Sequence, residues 1–398
     1  MASSLLLKPR ALPIFLLLCI LSSEFGFIRR GFAVGINYGQ VANNLPEPEQ
    51  VLALLTSLKI AKTRIYDTNP RVLTAFANSN VDIVVTVPND AVALVTDPRE
   101  AAEWVATNVK PYYPATRITG IAVGNEVYTT GDAALMTNLV PAMLSLHSAL
   151  ADIGLDQYIH VSTANSLAVL ANSYPPSLGT FRPELVNLIE PFLKFLEETN
   201  APFWVNAYPY FAYKDDPEKI PLDYVLFNPN AGTVDPNTGL HYDNMLYAQV
   251  DALLFAMARM GIAAVDVRVS ETGWPSRGDP NEAGATIDNA RTYNRNLLLR
   301  QARGEGTPLR PARRLEVYLF ALFNEDLKPG PTSERNYGLY QPDGTMAYNV
   351  GLTALTGSAS VSLTSSAVRE LRSEFGGMWC WLLVFSLTFQ ALVTRRAI

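Results

Sequence analysis

Eight short runs of strand-like residues, separated by stretches with helical periodicity, restrict the possible folds of this chain more than any other feature. The runs are VGINYG (34–39), AKTRIYD (61–67), DIVVTVP (82–88), ITGIAVGNE (118–126), IHVSTAN (159–165), PFWVNAYPYF (202–211), VDVRVSETGW (265–274) and LEVYLFALFNE (315–325). Their β-branched and aromatic content suits strands covered on both faces. Between most of them lie amphipathic stretches such as EPEQVLALLTSLKI, DPREAAEWVATNV and LMTNLVPAMLSLHSALADIG. Strand and helix alternating eight times predict a parallel sheet closed into an α/β (β/α)8 TIM barrel. A doubly wound open sheet is the alternative. The segment 212–245 is too long and too rich in Pro, Gly and Asn for a tight loop. It reads as a small excursion after the sixth strand, shaping one wall of a site. No repeat of solenoid period stands out.

A chain of 398 residues, 48% hydrophobic and 17% charged, has enough apolar material for one large core, and the barrel is expected over 34–357 as a single domain. The net charge of −6 and pI near 5.3 argue against nucleic acid as a partner, because that footprint is a basic patch. An uncharged or weakly polar substrate fits this balance better.

Both ends read as processing signals. Lys8 and Arg10 precede the apolar run ALPIFLLLCIL (11–21), so residues 1–33 are expected to be a secretory signal. Cleavage is placed after Ala33, with a cut near Ser23 or a short membrane anchor as alternatives. At the other end, the small residues Ser365, Ser366 and Ala367 precede the polar VRELRSEFGG and the apolar MWCWLLVFSLTFQALV (378–393). That order matches a glycolipid (GPI) attachment signal. Residues 358–377 then form a Ser-rich linker with lipidation at Ser365, and 378–398 a tail that is removed. The closing Thr394, Arg395 and Arg396 depart from the pattern, so a short single span with a basic stop competes. Either reading places the product on the outer face of the plasma membrane, in the cell wall, as a monomer. The only cysteines, Cys19 and Cys380, lie in these end segments, so no disulfide framework is expected in the body. No Asn-x-Ser/Thr sequon occurs.

In a parallel barrel the functional face lies at the C-terminal ends of the strands. Glu126 ends the fourth run and Glu271 the seventh, and these strands stand across the barrel mouth. Taken singly, each is better explained as a solvated strand end or a helix N-terminal charge. Taken together they suit glycosidic bond cleavage, where one carboxyl group protonates the leaving oxygen and another, ionised, attacks the anomeric carbon or activates a water. Asn125, beside the first, can bond a sugar 2-hydroxyl. His147 and His160 are expected to be structural, and His241 part of the excursion. No His/Asp/Glu cluster has zinc spacing, no Gly-rich phosphate loop appears, and VSTANS is not a nucleophile elbow. No metal or cofactor is expected.

GINYGQ (35–40), GNE (124–126), NAYPYF (206–211), SETGWPS (270–276) and FALFNEDLKPGPTSERNYGLY (320–340) resemble plant endo-1,3-β-glucanases of glycoside hydrolase family seventeen, in the right order over 34–355. The resemblance implies a TIM barrel hydrolysing internal β-1,3-glucosidic links of β-1,3-glucan with retention, Glu126 as acid/base and Glu271 as nucleophile. It places Tyr38 and Tyr208 near the cleaved link, and an acidic/basic cluster of Glu325, Lys328 and Glu334 beside the nucleophile; a surface ion-pair network is the other reading of that cluster. Trp274, Phe323, Tyr210 and Phe211 are candidates to present flat faces to glucose rings, although core packing is the commoner fate of such side chains. Tyr210 or Phe211 is the preferred choice. A glucan transglycosylase and a non-catalytic glucan-binding wall protein are the alternative functions.

Overall fold

The structure, a computed structural model, describes residues 34–352. The signal expected over 1–33, the linker 358–377 with Ser365, the tail 378–398 and both cysteines lie outside the described residues. The chain divides between Tyr348 and Asn349 into two compact units, and of the second only 349–352 are described.

Each of the eight runs contains or overlaps a strand of one closed barrel. In chain order they are β1 (Val34–Tyr38), β2 (Lys62–Ile65), β3 (Asp82–Val87), β4 (Arg117–Asn125), β5 (His160–Ser166), β6 (Phe203–Asn206), β7 (Val267–Thr272) and β8 (Glu316–Leu319). Every neighbouring pair is parallel, and β8 pairs back onto β1 with Val317 opposite Val34. An open sheet would leave those two strands with unpaired edges.

The connections carry helices α1 (Pro48–Ser57), α2 (Pro70–Ala75), α3 (Pro98–Asn108), α4 (Ala133–Asp152), α5 (Val186–Glu198), α6 (Pro209–Asp215), α7 (Leu222–Val225), α8 (Met245–Arg259) and α9 (Ile287–Arg303). Proline opens α1, α2 and α3, where a backbone N–H would have no partner inside the helix. Asp132, Asn244 and Thr286 accept first-turn N–H groups of α4, α8 and α9, each cap worth about 1 kcal/mol. The face of α5 that turns inward buries Ile189, Phe192, Leu193, Phe195 and Leu196. Truncating one such ring, Phe192→Ala, would cost about 3–5 kcal/mol.

The barrel interior is graded along its axis. At the N-terminal floor Glu316 pairs with Lys62 at 2.7 Å and with Arg268 at 3.7 Å. Above this, the rings of Trp204 and Tyr318 fill the middle, Trp204 among Val84, Ala122 and Ala164. A Cβ on Gly35 would lie 2.3 Å from the Tyr318 ring, so only glycine leaves room for it. Small residues opposite large ones let a narrow barrel close around solid packing. The C-terminal mouth is left for the polar side chains described below.

The excursion consists of α6, α7 and a hairpin pairing Thr233–Val234 with His241–Tyr242. The buried Asp235 carboxylate accepts the Ser177 amide and hydroxyl, each at 2.8 Å, tying the hairpin to the loop after β5. Arg300 on α9 pairs with Asp243 and lies over the rings of Phe227 and Tyr247. After β8 the chain makes a loop closed at its base. Ala321 donates to the Tyr337 carbonyl at 3.2 Å, and Leu339 and Tyr340 donate to Ala321 and Leu322, each at 2.9 Å.

Candidate active site

The end of β4 is bent so that its last side chains enter the barrel mouth. Gly124 has φ 66° and Glu126 φ 54°, both left-handed. A Cβ on Gly124 would sit 2.4 Å from Val127. A non-glycine residue in this region costs about 1–3 kcal/mol, so its surroundings must hold it there. Asn89 does part of this, its Oδ1 accepting the Asn125 N–H at 2.7 Å and its Nδ2 donating to the Asn125 carbonyl at 3.2 Å. The Glu126 N–H donates to the Ala164 carbonyl at 2.7 Å. On β7 the register slips between Val269 and Glu271 against β6, and between Val269 and Thr272 against β8. Slips of this kind re-aim a side chain at a strand end. Glu126 and Glu271 thereby line one cleft of about 200 Å³, together with Asn125, Tyr208, Phe211, Phe320, Lys328, Glu334 and Tyr337.

The two carboxyl groups have opposite surroundings. Glu271, 7% exposed, accepts from three donors. Its Oε1 takes bonds from Arg64 at 3.0 Å and the Tyr66 hydroxyl at 2.7 Å, and its Oε2 one from the Tyr208 hydroxyl at 2.8 Å. A guanidinium and two phenols stabilise negative charge there. Burial, reinforced by the Glu271 charge, raises both phenols well above their usual range, so each remains a donor. Glu126 accepts a bond from the Asn206 amide at 2.9 Å. Burial and then the Glu271 charge raise its proton affinity above the ordinary carboxyl value, with Glu334 adding to this and Asn206 and Arg64 opposing it. One group is arranged to carry charge and the other to hold a proton, the division that acid–nucleophile chemistry needs.

Arg64 reaches further. Its second nitrogen donates to Asn125 Oδ1 at 2.8 Å, which fixes the amide and leaves Nδ2 as the group able to donate to a ligand.

Of the other residues singled out in the sequence, Tyr208, Phe211, Lys328 and Glu334 stand in the cleft beside the two carboxyl groups. Lys328 lies 3.4 Å from Glu334, its ammonium 4.3 Å from the centre of the Phe320 ring. Glu325 is 3% exposed and accepts the Val41 N–H at 2.8 Å, with burial pushing its carboxyl up. Several expectations need correction. Tyr38 is buried with its ring edge against Phe323, and the phenol that joins Tyr208 on Glu271 comes from Tyr66 instead. Phe323 is itself buried and touches a separate cavity beside Pro46 and Pro342. Tyr210 and Trp274 are fully buried; their rings meet edge to face at 5.2 Å, and the Trp274 indole donates to the Gly284 carbonyl at 2.8 Å. They support the cleft from below and offer no face to a ligand. Adjacent residues on a helix point about 100° apart, so α6 turns Tyr210 inward and leaves Phe211, 38% exposed, at the cleft.

Sequence reasoning passed over Arg64, Tyr66, Asn206, Phe320 and Tyr337. A signal for the first two existed in AKTRIYD. Residues two apart share one face of a strand, and an arginine facing a barrel interior must find an acid. His147 meets Phe195 edge to face outside the barrel, His160 lies at the start of β5 near Arg268 and Glu316, and His241 meets the Ala231 carbonyl in the excursion. Among the described residues no group of His, Cys, Asp or Glu is placed to hold a metal ion.

A closed parallel barrel with unlike carboxyl groups at the ends of its fourth and seventh strands defines a glycosidase. The chain matches the family described as "Glycosyl hydrolases family 17" over residues 34–352, and it belongs to that family. It is 50% identical over 321 residues to "Glucan endo-1,3-beta-glucosidase 11" of Arabidopsis thaliana, covering 80% of this chain and 75% of that one. To "Glucan endo-1,3-beta-glucosidase 14" of the same plant it is 52% identical over 324 residues, covering 81% and 83%. Among solved structures it is similar to CJP38, "a beta-1,3-glucanase and allergen of Cryptomeria japonica pollen", at a TM-score of 0.77 and 42% identity, over 81% of this chain and 99% of that one.

Proposed function

We propose that this chain hydrolyses internal 1,3-β-D-glucosidic linkages of β-1,3-glucan (callose) by double displacement, with Glu126 as acid/base and Glu271 as nucleophile. The observation that carries the residue roles is the asymmetry of the pair. Glu271 is held by Arg64, Tyr66 and Tyr208, while burial and the charge of Glu271 raise the proton affinity of Glu126. The relatives' names carry the substrate.

In the first step a Glu271 oxygen attacks the anomeric carbon as the bond to the leaving oxygen breaks, and Glu126 gives that oxygen its proton. The product is a glycosyl ester of Glu271, which neutralises the charge that had raised the proton affinity of Glu126. Glu126, now ionised, takes a proton from water as the water oxygen attacks the same carbon and the ester bond breaks. Two inversions retain the configuration, which requires the carboxyl groups to lie only ~5–5.5 Å apart. Asn125 Nδ2 would bond the sugar 2-hydroxyl, and Phe211 would offer an apolar face to a ring.

The test is release of reducing sugar from linear β-1,3-glucan against β-1,4-glucan, with Glu271→Gln alongside. Expected are release from the first polymer only and near-total loss in the variant with glucan binding kept. Turnover surviving in Glu271→Gln would sink the assignment. Products longer than a defined oligosaccharide substrate would instead favour transfer to a sugar acceptor. The location proposed is the outer face of the plasma membrane, through a C-terminal lipid anchor. It rests on the order of small site, spacer and apolar tail in the sequence and is tested by release with a phosphatidylinositol-specific phospholipase.

A further inference from the structure

The loop after β7, the strand that carries Glu271, reaches across to the wall formed by the loop after β8. Asp279 accepts from Thr332 through both its amide, at 3.0 Å, and its hydroxyl. Glu282, 8% exposed, accepts the Ser333 amide at 3.1 Å and the Ser333 hydroxyl, and it also takes the Asp279 amide at 2.8 Å, which stiffens its own loop. Ser276 adds bonds from its amide and hydroxyl to the Asn336 carbonyl, at 2.9 and 3.0 Å. Ser333 is fully buried, so its bonds to Glu282 are shielded from competing water. The residue that follows is Glu334, which lines the cleft and meets Lys328 at 3.4 Å. Arg335 in turn donates to the Lys328 and Gly330 carbonyls, each at 3.0 Å, which ties the wall between Lys328 and Asn336 together.

We propose that Asp279 and Glu282 are positioning residues: by clasping Thr332 and Ser333 they set where Glu334 and Lys328 stand relative to Glu126 and Glu271, and so tune the reaction without touching substrate. This rests on the glucanase reading above. Packing alone would hold the loop somewhere. The clasp holds it from the strand that carries the nucleophile, so wall and nucleophile share one frame.

The electrostatic consequence separates a positioning role from a merely structural one. Glu126 is faced by Glu271 from β7, Arg64 from β2, Asn206 from β6 and Glu334 from the wall. Glu334 is negative and raises the proton affinity of Glu126. If the clasp is cut and Glu334 drifts outward, Glu126 loses its proton at lower pH. The basic limb of the kcat/KM profile then moves to lower pH.

The experiment compares wild type, Glu282→Ala, Glu282→Gln, Asp279→Ala, Glu334→Gln and Glu282→Ala/Glu334→Gln on linear β-1,3-glucan across pH. Glu282→Ala is expected to lower kcat/KM about tenfold, in line with the sensitivity of catalysis to sub-ångström displacement, and to move the basic limb down. Asp279→Ala, at the outer end of the clasp, should give a smaller shift of the same sign. Glu282→Gln keeps a carbonyl for the amides and an amide for the serine hydroxyl, so it should restore both rate and limb. In the Glu334→Gln background Glu282→Ala should add little, because the two act through one group. An unmoved limb in both Glu282→Ala and Asp279→Ala, or losses that multiply in the double variant, would overturn the proposal. A wild-type chain that releases no sugar from β-1,3-glucan would instead overturn the function on which it rests, and that shows before any variant is made.

Discussion

Replacing Arg64 with Met tests how the site is held. The guanidinium is 2% exposed as a side chain and its partner Glu271 9%, with 3.0 Å between them. Methionine keeps most of the stem's volume and removes the charge, leaving a carboxylate buried with only two phenols. Breaking a buried ion pair from one side costs about 3–5 kcal/mol. With an unfolding entropy of ~2.1 cal/mol/K per residue over the roughly 320 residues described, that is a fall in Tm of about 4–7 °C. Adding Glu271→Gln removes the stranded charge, and a pair replaced by neutral groups is often close to neutral in stability. The double variant should therefore recover most of the loss. It should stay about 1–2 kcal/mol below wild type, because Asn125 Oδ1 has also lost its 2.8 Å donor. Guanidinium midpoints and calorimetry on the four proteins complete the cycle. A single variant within about 1 kcal/mol of wild type, or a double variant no more stable than Arg64→Met, would show that Arg64 does not compensate Glu271.

The remaining predictions concern single groups. Tyr208→Phe removes one donor at 2.8 Å from Glu271 and should cost about 1.5–3 kcal/mol of transition-state stabilisation, roughly 10–100-fold in kcat/KM, with the melting curve little changed; a loss under about threefold would remove Tyr208 from the machinery. Burial pushes the Asp251 carboxyl on α8 up to about 6, against bonds from Thr307, the Leu309 amide and Tyr242. A raised folded value means that this group's contribution to stability is present below about pH 4 and lost as pH rises through about 6. Asp251→Asn should therefore gain on wild type between pH 4 and pH 7, by on the order of 2 kcal/mol in urea midpoints; a difference that does not change with pH would refute the assignment.

The barrel was legible in the sequence because strands buried on both faces must be apolar almost throughout, and eight such runs leave few other folds. The carboxyl pair was legible because each ends a run and has motif neighbours, GNE and SETGWPS. Arg64 and Tyr66 were harder to see. A lysine and an arginine in a four-residue strand, with a tyrosine just past its end, look like surface alternation, and only closure of the barrel shows that their face is the inside. The exchange of Tyr38 for Tyr66 has the same root, since Tyr38 ends one short strand, Tyr66 follows another, and only the radial direction of each side chain distinguishes them. The fates of Tyr210 and Phe211 depend on the helical phase at the start of α6. That phase is set by Pro209 and by the Trp274 ring packed against Tyr210, the latter a contact remote in sequence. The clasp between Asp279, Glu282 and the wall joins loops some fifty residues apart, and such pairings have no local signature.

The base of the loop after β8 has a bearing on how this surface can diversify. Its two ends are stitched to each other at Ala321, Leu322, Tyr337, Leu339 and Tyr340, so the stretch between them behaves as a detachable cassette on a fixed hoop. Exchanging that cassette with a homologue's should reshape the groove while the staves beneath keep their register. A transplant would inherit the donor's selectivity only if the recipient also supplied acidic anchors where Asp279 and Glu282 now stand.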